Sequence, residues 1–253
     1  MGTASPPLPG ASAVAATAAA ATPEAQAATP EAQARPTARE ALVLSRVQTS
    51  EPLVALTFDC CQTAKPAGYD AKIVAFLVAH HVPATFTLGG RWMEAHPEPT
   101  RYLASIPYFE LGDHSYLHPH MRRLTPAQQD RELSATQQIC HRLTGRWAEA
   151  FRPPYGEWDP GLAAAAGRAG MYTVLWTIST GDPDKHATVK DLQDEARKAK
   201  PGAIVLMHAN GRGWKTAEAL PGILAIMQKK GLRPVTLHEL VAAGTPVSPH
   251  PPV

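Results

Sequence analysis

The stretch Leu53-Val54-Ala55-Leu56-Thr57-Phe58-Asp59 decides the fold, because it is a short, mostly apolar run that ends on an acid and reads as a buried strand. The next segment reads as a helix. Residues 69–79 place Ile73, Val74, Phe76 and Leu77 on one helical stripe, and Ala84-Thr85-Phe86-Thr87-Leu88 then reads as a second strand ending at Gly89-Gly90. The pattern repeats. A helix is expected over residues 91–105, interrupted near Pro97 and Pro99, before a strand at Phe109-Glu110-Leu111; Thr125-Pro126 opens a long helix that Gly145 closes. Further strands are expected at residues 172–178, 203–207 and 232–236, with helices over 162–169, 189–198 and 216–229. Strands and helices alternating at this spacing imply parallel pairing through helical crossovers, and about seven such units build a barrel or a doubly wound sheet. In both architectures ligands collect beyond the carboxyl ends of the strands.

Composition bounds the partners. The chain has 253 residues, 44% of them hydrophobic, enough for a sizeable core. With 24 basic and 22 acidic residues and no block of one sign, it does not suggest nucleic acid or an anionic membrane as partner. No run of apolar residues reaches the 18 or so that a membrane-spanning helix needs. Residues 1–40 are rich in Ala, Pro and Thr, and Ala21-Thr22-Pro23-Glu24-Ala25-Gln26-Ala27 is repeated at once, which reads as a disordered linker without a visible export signal. The expected folded domain spans residues 41–243, and residues 244–253 read as a disordered Pro-rich tail. Cys60, Cys61 and Cys140 are an odd number, so they cannot all pair within one chain, and the redox compartment stays open.

Titratable groups follow the strands in five places. Asp59 follows the first; His114-Ser115-Tyr116-Leu117-His118-Pro119 follows the third; Arg152-Pro153-Pro154-Tyr155-Gly156, Thr180-Gly181-Asp182-Pro183-Asp184 and His208 come later. Two imidazoles four residues apart can converge on one metal ion, although in a chain with 11 His such a spacing arises often by accident.

In order and content these stations resemble the polysaccharide deacetylase family, carbohydrate esterase family 4, also called the NodB homology domain. The resemblance runs over residues 51–243, with full matches to the family's second motif (His-Ser/Thr-x-x-His-Pro) and third motif (Arg-x-Pro-Tyr/Phe). It implies a distorted (β/α)7 barrel and hydrolytic removal of acetyl groups from an acetylated polysaccharide of peptidoglycan, chitin or xylan type. The implied cofactor is a divalent metal, zinc above others, held by His114 and His118. Carried over residue by residue, Asp59 is the general base, Arg152 holds it ionised, the Tyr155 backbone N–H is an oxyanion donor, and His208 is the general acid oriented by Asp182. An acetylated glycan partner, a monomer, and a periplasmic or extracellular location are the matching expectations. Each residue also has a plainer reading: a turn cap for Asp59, a surface ion pair for Arg152, a core histidine for His208, a turn for Asp182.

Two departures from the family pattern bear on the site. Where the family has a second Asp as metal ligand, this chain has Cys60, a chemically sound zinc ligand; if its side chain turns away, Asp59 is the alternative ligand. A divergent branch of the family carries Phe-Asp-x-Cys, which makes Cys61 the typical cysteine. Pro183 replaces the family's Trp after Asp182, leaving Asp184 as the alternative acid. Trp92, Trp158 and Trp214 are possible sugar-stacking residues, Trp214 foremost because it lies in a glycine-rich loop past His208. Besides the deacetylase, the sequence leaves open a degenerate glycan-binding member and a barrel hydrolase acting on another amide.

Overall fold

The computed structural model describes residues 1, 34, 36–63 and 68–249, and most of the expected N-terminal linker lies outside them. Eleven strands and eight α-helices follow in chain order. They are β1 (Val43–Leu44), β2 (Arg46–Gln48), β3 (Leu53–Cys60), α1 (Ala71–Ala79), β4 (Ala84–Leu88), α2 (Gly90–Ala95), α3 (Pro97–Ser105), β5 (Phe109–Asp113) and α4 (Pro126–Thr144). The second half holds β6 (Ala150–Phe151), α5 (Pro160–Arg168), β7 (Tyr172–Val174), β8 (Ile178–Ser179), α6 (Val189–Ala196), β9 (Ala203–His208), α7 (Thr216–Lys229), β10 (Arg233–Val235), α8 (Leu237–Ala242) and β11 (Thr245–Val247). The helices stop where their chemistry stops them. On α4, the Thr125 N–H donates to the Gln128 side chain at 2.8 Å, and Gly145 ends the helix in the left-handed conformation.

The sheet is a nearly closed barrel, as the strand–helix alternation predicts. Parallel pairing runs β9-β3-β4-β5-β6-β7, and the gap between β7 and β9 is filled by the N-terminal segment: β1 lies parallel to β7, and β2 antiparallel to β9. Parallel strands carry all their carboxyl ends to one rim. In register there, Asp59 lies opposite Thr87 on one neighbouring strand and His208 on the other.

Strand parity separates two cores. From β3, Leu53 and Ala55 point into the barrel with Tyr172 and Ile204, whereas Val54, Leu56, Phe58 and Cys60 point outward against α1 and α7 residues such as Ile73, Leu77 and Leu220. Both layers are nearly dry, so a one-residue shift of β3 would exchange them and is strongly opposed.

Three expected boundaries move. The strand expected over 172–178 is broken, with Trp176 between β7 and β8. Residues 245–247, expected in a disordered tail, form β11 and pair with β2, and the chain is already packed at Arg39, whose N–H donates to Gly167 O at 2.9 Å. The cause in each case is a partner distant in sequence. Among the described residues no helix is long and apolar enough to cross a membrane.

The barrel seam makes one glycine indispensable. Gly202 has φ +81°, and a Cβ there would overlap the Val47 carbonyl, which has no room to retreat because the Val47 N–H is already bonded to Gly202 O at 2.9 Å. Gly231 has φ +68° with open space around its Cβ position. In denaturant unfolding, Gly231→Ala should cost about 1 kcal/mol for conformation alone, and Gly202→Ala at least about 3 kcal/mol because the seam must shift as well. Equal losses would show that the seam tolerates displacement.

Candidate active site and metal centre

Asp59 sits at the inner carboxyl end of β3 and is 3% exposed. Its Oδ1 accepts from Arg152 Nη1 at 2.8 Å and from the Thr87 hydroxyl, while its Oδ2 lies 3.5 Å from His114 Nε2. Burial alone would raise this carboxyl, but the Arg152 charge, followed by His114, His208 and the Thr87 hydrogen bond, outweighs it and holds the group far below the usual carboxylate range. It is ionised at any working pH. Arg152 is wholly buried, so the plainer reading of a surface ion pair does not hold.

The histidine loop is built to hold two imidazoles still. Asp113 Oδ1 accepts from the Ser115 N–H at 2.8 Å, the Ser115 hydroxyl accepts from the His118 N–H at 3.0 Å, and Glu132 Oε2 accepts from the N–H groups of Tyr116 and Leu117 at 2.9 and 2.8 Å. Glu132 belongs to α4, and nothing local in the sequence marks it. The loop needs this bracing because Ser115 and His118 have φ of 61° and 59°, a left-handed backbone that costs about 1 kcal/mol or more for a residue with a Cβ.

His114 Nδ1 donates to the Arg152 carbonyl at 2.7 Å, which fixes the tautomer and leaves Nε2 with a free lone pair. Burial pulls both imidazoles down, His118 to about 3, so they are neutral and able to ligate at neutral pH.

The third member of this cluster corrects the expectation. Cys60, whose side chain falls on the outward face of β3, is in the apolar core and faces no imidazole; Cys61, one residue on and therefore on the inward side with Asp59, joins His114 and His118. The donor atoms of Cys61, His114 and His118 all lie within 4.8 Å of one another. Two neutral imidazoles and a thiol are a nitrogen–sulfur set suited to zinc, with coordination positions left for water and substrate, so the residues present fit a divalent metal. Burial raises the Cys61 thiol, offset in part by Arg212 beside it at 3.9 Å, so a bound metal would take up the thiolate and displace a proton. Cys60, Cys61 and Cys140 are all unpaired.

Opposite Asp59, His208 closes β9. Its Nδ1 donates to Asp182 Oδ1 at 3.0 Å, and its backbone N–H donates to Asp182 Oδ2 at 2.6 Å. Burial would lower this imidazole, but the Asp182 hydrogen bond and charge, with Asp59 beyond, raise it above its ordinary value. Asp182, not Asp184, is therefore the acid beside His208, and the His208 Nε2 is left for the cavity. Asp182 Oδ2 also accepts from the Thr216 hydroxyl at 2.6 Å, and its carbonyl accepts from the Trp214 N–H at 3.0 Å, so one carboxylate orients His208 and ties down the adjoining loop.

These groups surround a cavity of about 170 Å³ lined by Asp59, His114, His118, Tyr155, Trp176, Leu206, His208 and Arg212, among others. Tyr155 has φ 60°, and its N–H has no hydrogen-bond partner among the described residues, as an oxyanion donor requires. Its ring stacks on His120 at 4.3 Å, and His120 Nδ1 lies 3.0 Å from Glu157. No motif or spacing marks Trp176, Arg212 or the His120–Glu157 pair. Of the tryptophans that the sequence offers as stacking residues, Trp92 and Trp158 are buried, and Trp214 is 58% exposed but stands outside the cavity wall.

Comparison with known proteins agrees with this architecture. The polysaccharide deacetylase family model matches residues 46–174. The chain is 31% identical over 173 residues to the uncharacterized protein YlxY of Bacillus subtilis, covering 68% of this chain and 53% of that protein. It is 29% identical over 186 residues to the peptidoglycan-N-acetylglucosamine deacetylase of Bacillus cereus, covering 73% and 66%. The chain thus spans between about half and two thirds of these relatives' length. Among solved structures, a carbohydrate esterase family 4 pseudoenzyme from Bacillus anthracis superposes with a TM-score of 0.72 at 29% identity, covering 79% of this chain and 69% of that one. With more than half of its length matched by the family model, and with the barrel and the strand-end groups in place, this chain belongs to the polysaccharide deacetylase family.

Proposed function

We propose that this protein is a metal-dependent hydrolase that removes acetyl groups from an acetylated polysaccharide. The observation that carries the reading is one cavity faced by an ionised carboxylate, a raised imidazole and two neutral imidazoles, with a thiol within 4.8 Å of those two. His114, His118 and Cys61 would hold the metal, which when bound supplies Lewis-acid polarisation and acidifies a water. That water matters, because a carboxylate held as low as Asp59 is a weak base toward ordinary water.

The chain's own groups then divide the work. Arg152 and Thr87 fix Asp59 so that its free oxygen faces the cavity and accepts the water's proton as the carbonyl carbon is attacked. The Tyr155 N–H donates to the oxygen that becomes negative. His208, protonated at Nε2, gives its proton to the departing nitrogen or oxygen of the sugar, leaving acetate and a free amine or hydroxyl. Trp176 and Leu206 supply the apolar wall against which an acetyl methyl fits. Relatives named for acting on peptidoglycan support a wall or other extracellular glycan as substrate and a location outside the cytoplasm.

Acetate release from chitin oligomers, acetylated xylan and peptidoglycan tests the reaction directly. Zinc-loaded protein should release acetate from at least one of them, chelation should abolish the release, and Asp59→Asn should lower kcat by about a thousandfold or more. Glycan binding without acetate would favour the non-catalytic reading that the pseudoenzyme neighbour represents, and ammonia from small amides without acetate would favour another amidohydrolase.

The pH dependence has a definite sign. Asp59 is ionised throughout, so it contributes no acid limb. His208 must be protonated, so kcat/KM should fall as pH rises through a value above the ordinary imidazole pKa of about 6.5. Asp182→Asn, which removes the charge that raises the imidazole, should shift that limb downward. A limb unmoved by the substitution would remove His208 from the acid role.

The ligand set can be read by cobalt substitution. Cobalt(II)-loaded wild type and Cys60→Ser should share a thiolate-to-cobalt charge-transfer band in the near ultraviolet, and Cys61→Ser should lose it and bind zinc at least about tenfold more weakly. The reverse pattern would assign the thiolate to Cys60.

A further inference from the structure

Arg212 is the charged group of the cavity wall that the reaction does not use. Two side chains lining the cavity carry a fixed charge, Asp59 and Arg212. Asp59 is cancelled by Arg152 at 2.8 Å. Arg212 has no carboxylate within ion-pair distance among the described residues, and its one side-chain partner there is the Cys61 sulfur at 3.9 Å, beyond a strong hydrogen bond. The cavity is therefore net positive by one charge before any metal is added.

Arg212 is exposed, and the loop that carries it is anchored through its backbone. Arg212 lies between Gly211, at φ +81°, and Gly213, where a Cβ would collide with the Thr216 hydroxyl and the His208 carbonyl. The loop is pinned on its far side by the Asp182 contacts of Trp214 and Thr216. Tyr155, Trp176 and Leu206 line the same cavity as Arg212, and Tyr155 is more than half exposed. Aromatic and apolar lining suits the faces of a sugar, and a planar guanidinium beside it matches a carboxylate, to which it can donate two parallel hydrogen bonds.

We propose that Arg212 selects a glycan that carries a carboxylate on, or next to, the acetylated sugar. The inference rests on the deacetylase reading for its substrate and narrows that substrate to an acidic one. Arg212 acts on selection only, and the acid–base groups are those already described. A second source of the same chemistry is the acetate product, which the guanidinium could retain instead.

The test uses three disaccharides: a di-N-acetylated glucosamine disaccharide, the same compound with a carboxyalkyl ether on one ring hydroxyl, and the methyl ester of that ether, which keeps the shape without the charge. For zinc-loaded wild type, kcat/KM for the acid should exceed that for the ester by about five- to tenfold, and calorimetric binding to zinc-loaded Asp59→Asn, where Arg152 is no longer cancelled, should also favour the acid and do so less in Asp59→Asn/Arg212→Ala. The ratio should shrink with added salt, fall to about one in Arg212→Ala and persist in part in Arg212→Lys. Zinc content measured on each variant separates selection from a loss of metal through Cys61. An acid-to-ester ratio unchanged by Arg212→Ala overturns the proposal, as does a variant that loses rate on all three compounds in proportion to its zinc. A change in inhibition by acetate with no change in the ratio assigns Arg212 to product retention and likewise overturns it. If no compound releases acetate while the binding ratio still depends on Arg212, the deacetylase reading fails and the acidic-glycan site stands.

Discussion

A carboxylate and a guanidinium buried together at 2.8 Å organise this site. Taking both charges out of water is costly, and removing either partner leaves the other uncompensated at a penalty of about 3–5 kcal/mol. The pair is kept where several elements meet. Asp59 leaves β3, Thr87 leans in from β4, and Arg152 arrives on the chain after β6. Arg152 acts twice, because its side chain holds Asp59 while its backbone carbonyl accepts from His114. The position of Asp59 and the tautomer of His114 are thereby tied to one residue.

Around this pair the environment pushes acid and base apart. Asp59 is held low chiefly by Arg152 against the cost of burial, and His208 is raised by Asp182 against the same cost. Two titratable groups in one small cavity, displaced in opposite directions by different partners, are a recurring arrangement of proton donor and proton acceptor in hydrolytic sites. The strain at Ser115, His118 and Tyr155 fits the same picture: of the four non-glycine residues with positive φ among those described, His118 and Tyr155 line this cavity and Ser115 braces the loop that carries His118. Asp113, Glu132 and the Ser115 hydroxyl supply the contacts that offset it.

Much of this is legible in the order of residues, and the failures have physical reasons. Strand–helix alternation is a local signal, so the barrel and the strand-end positions of Asp59, His114, His118, Arg152 and His208 can be read directly. The placement of the two cysteines is also within reach of the sequence. Val54, Leu56, Phe58 and Cys60 share one parity and are the larger apolar set, which makes that face the one packed under the helices and sends Asp59 and Cys61 to the other. Position in the family motif points to Cys60, and strand parity overrides it. Glu132, Trp176, Arg212 and the His120–Glu157 pair are different, because each reaches the site through a partner that no spacing reveals. The same holds for β11, whose pairing with β2 joins opposite ends of the folded chain.

On the function proposed above, parity at the end of β3 puts the thiolate of Cys61 where the family has a carboxylate ligand. X-ray absorption at the zinc edge of the loaded protein tests it most directly. One sulfur per zinc is expected at about 2.3 Å with nitrogen and oxygen neighbours at about 2.0–2.1 Å, and the sulfur shell should be lost in Cys61→Ser and retained in Cys60→Ser. A shell of nitrogen and oxygen alone in the wild type would contradict it.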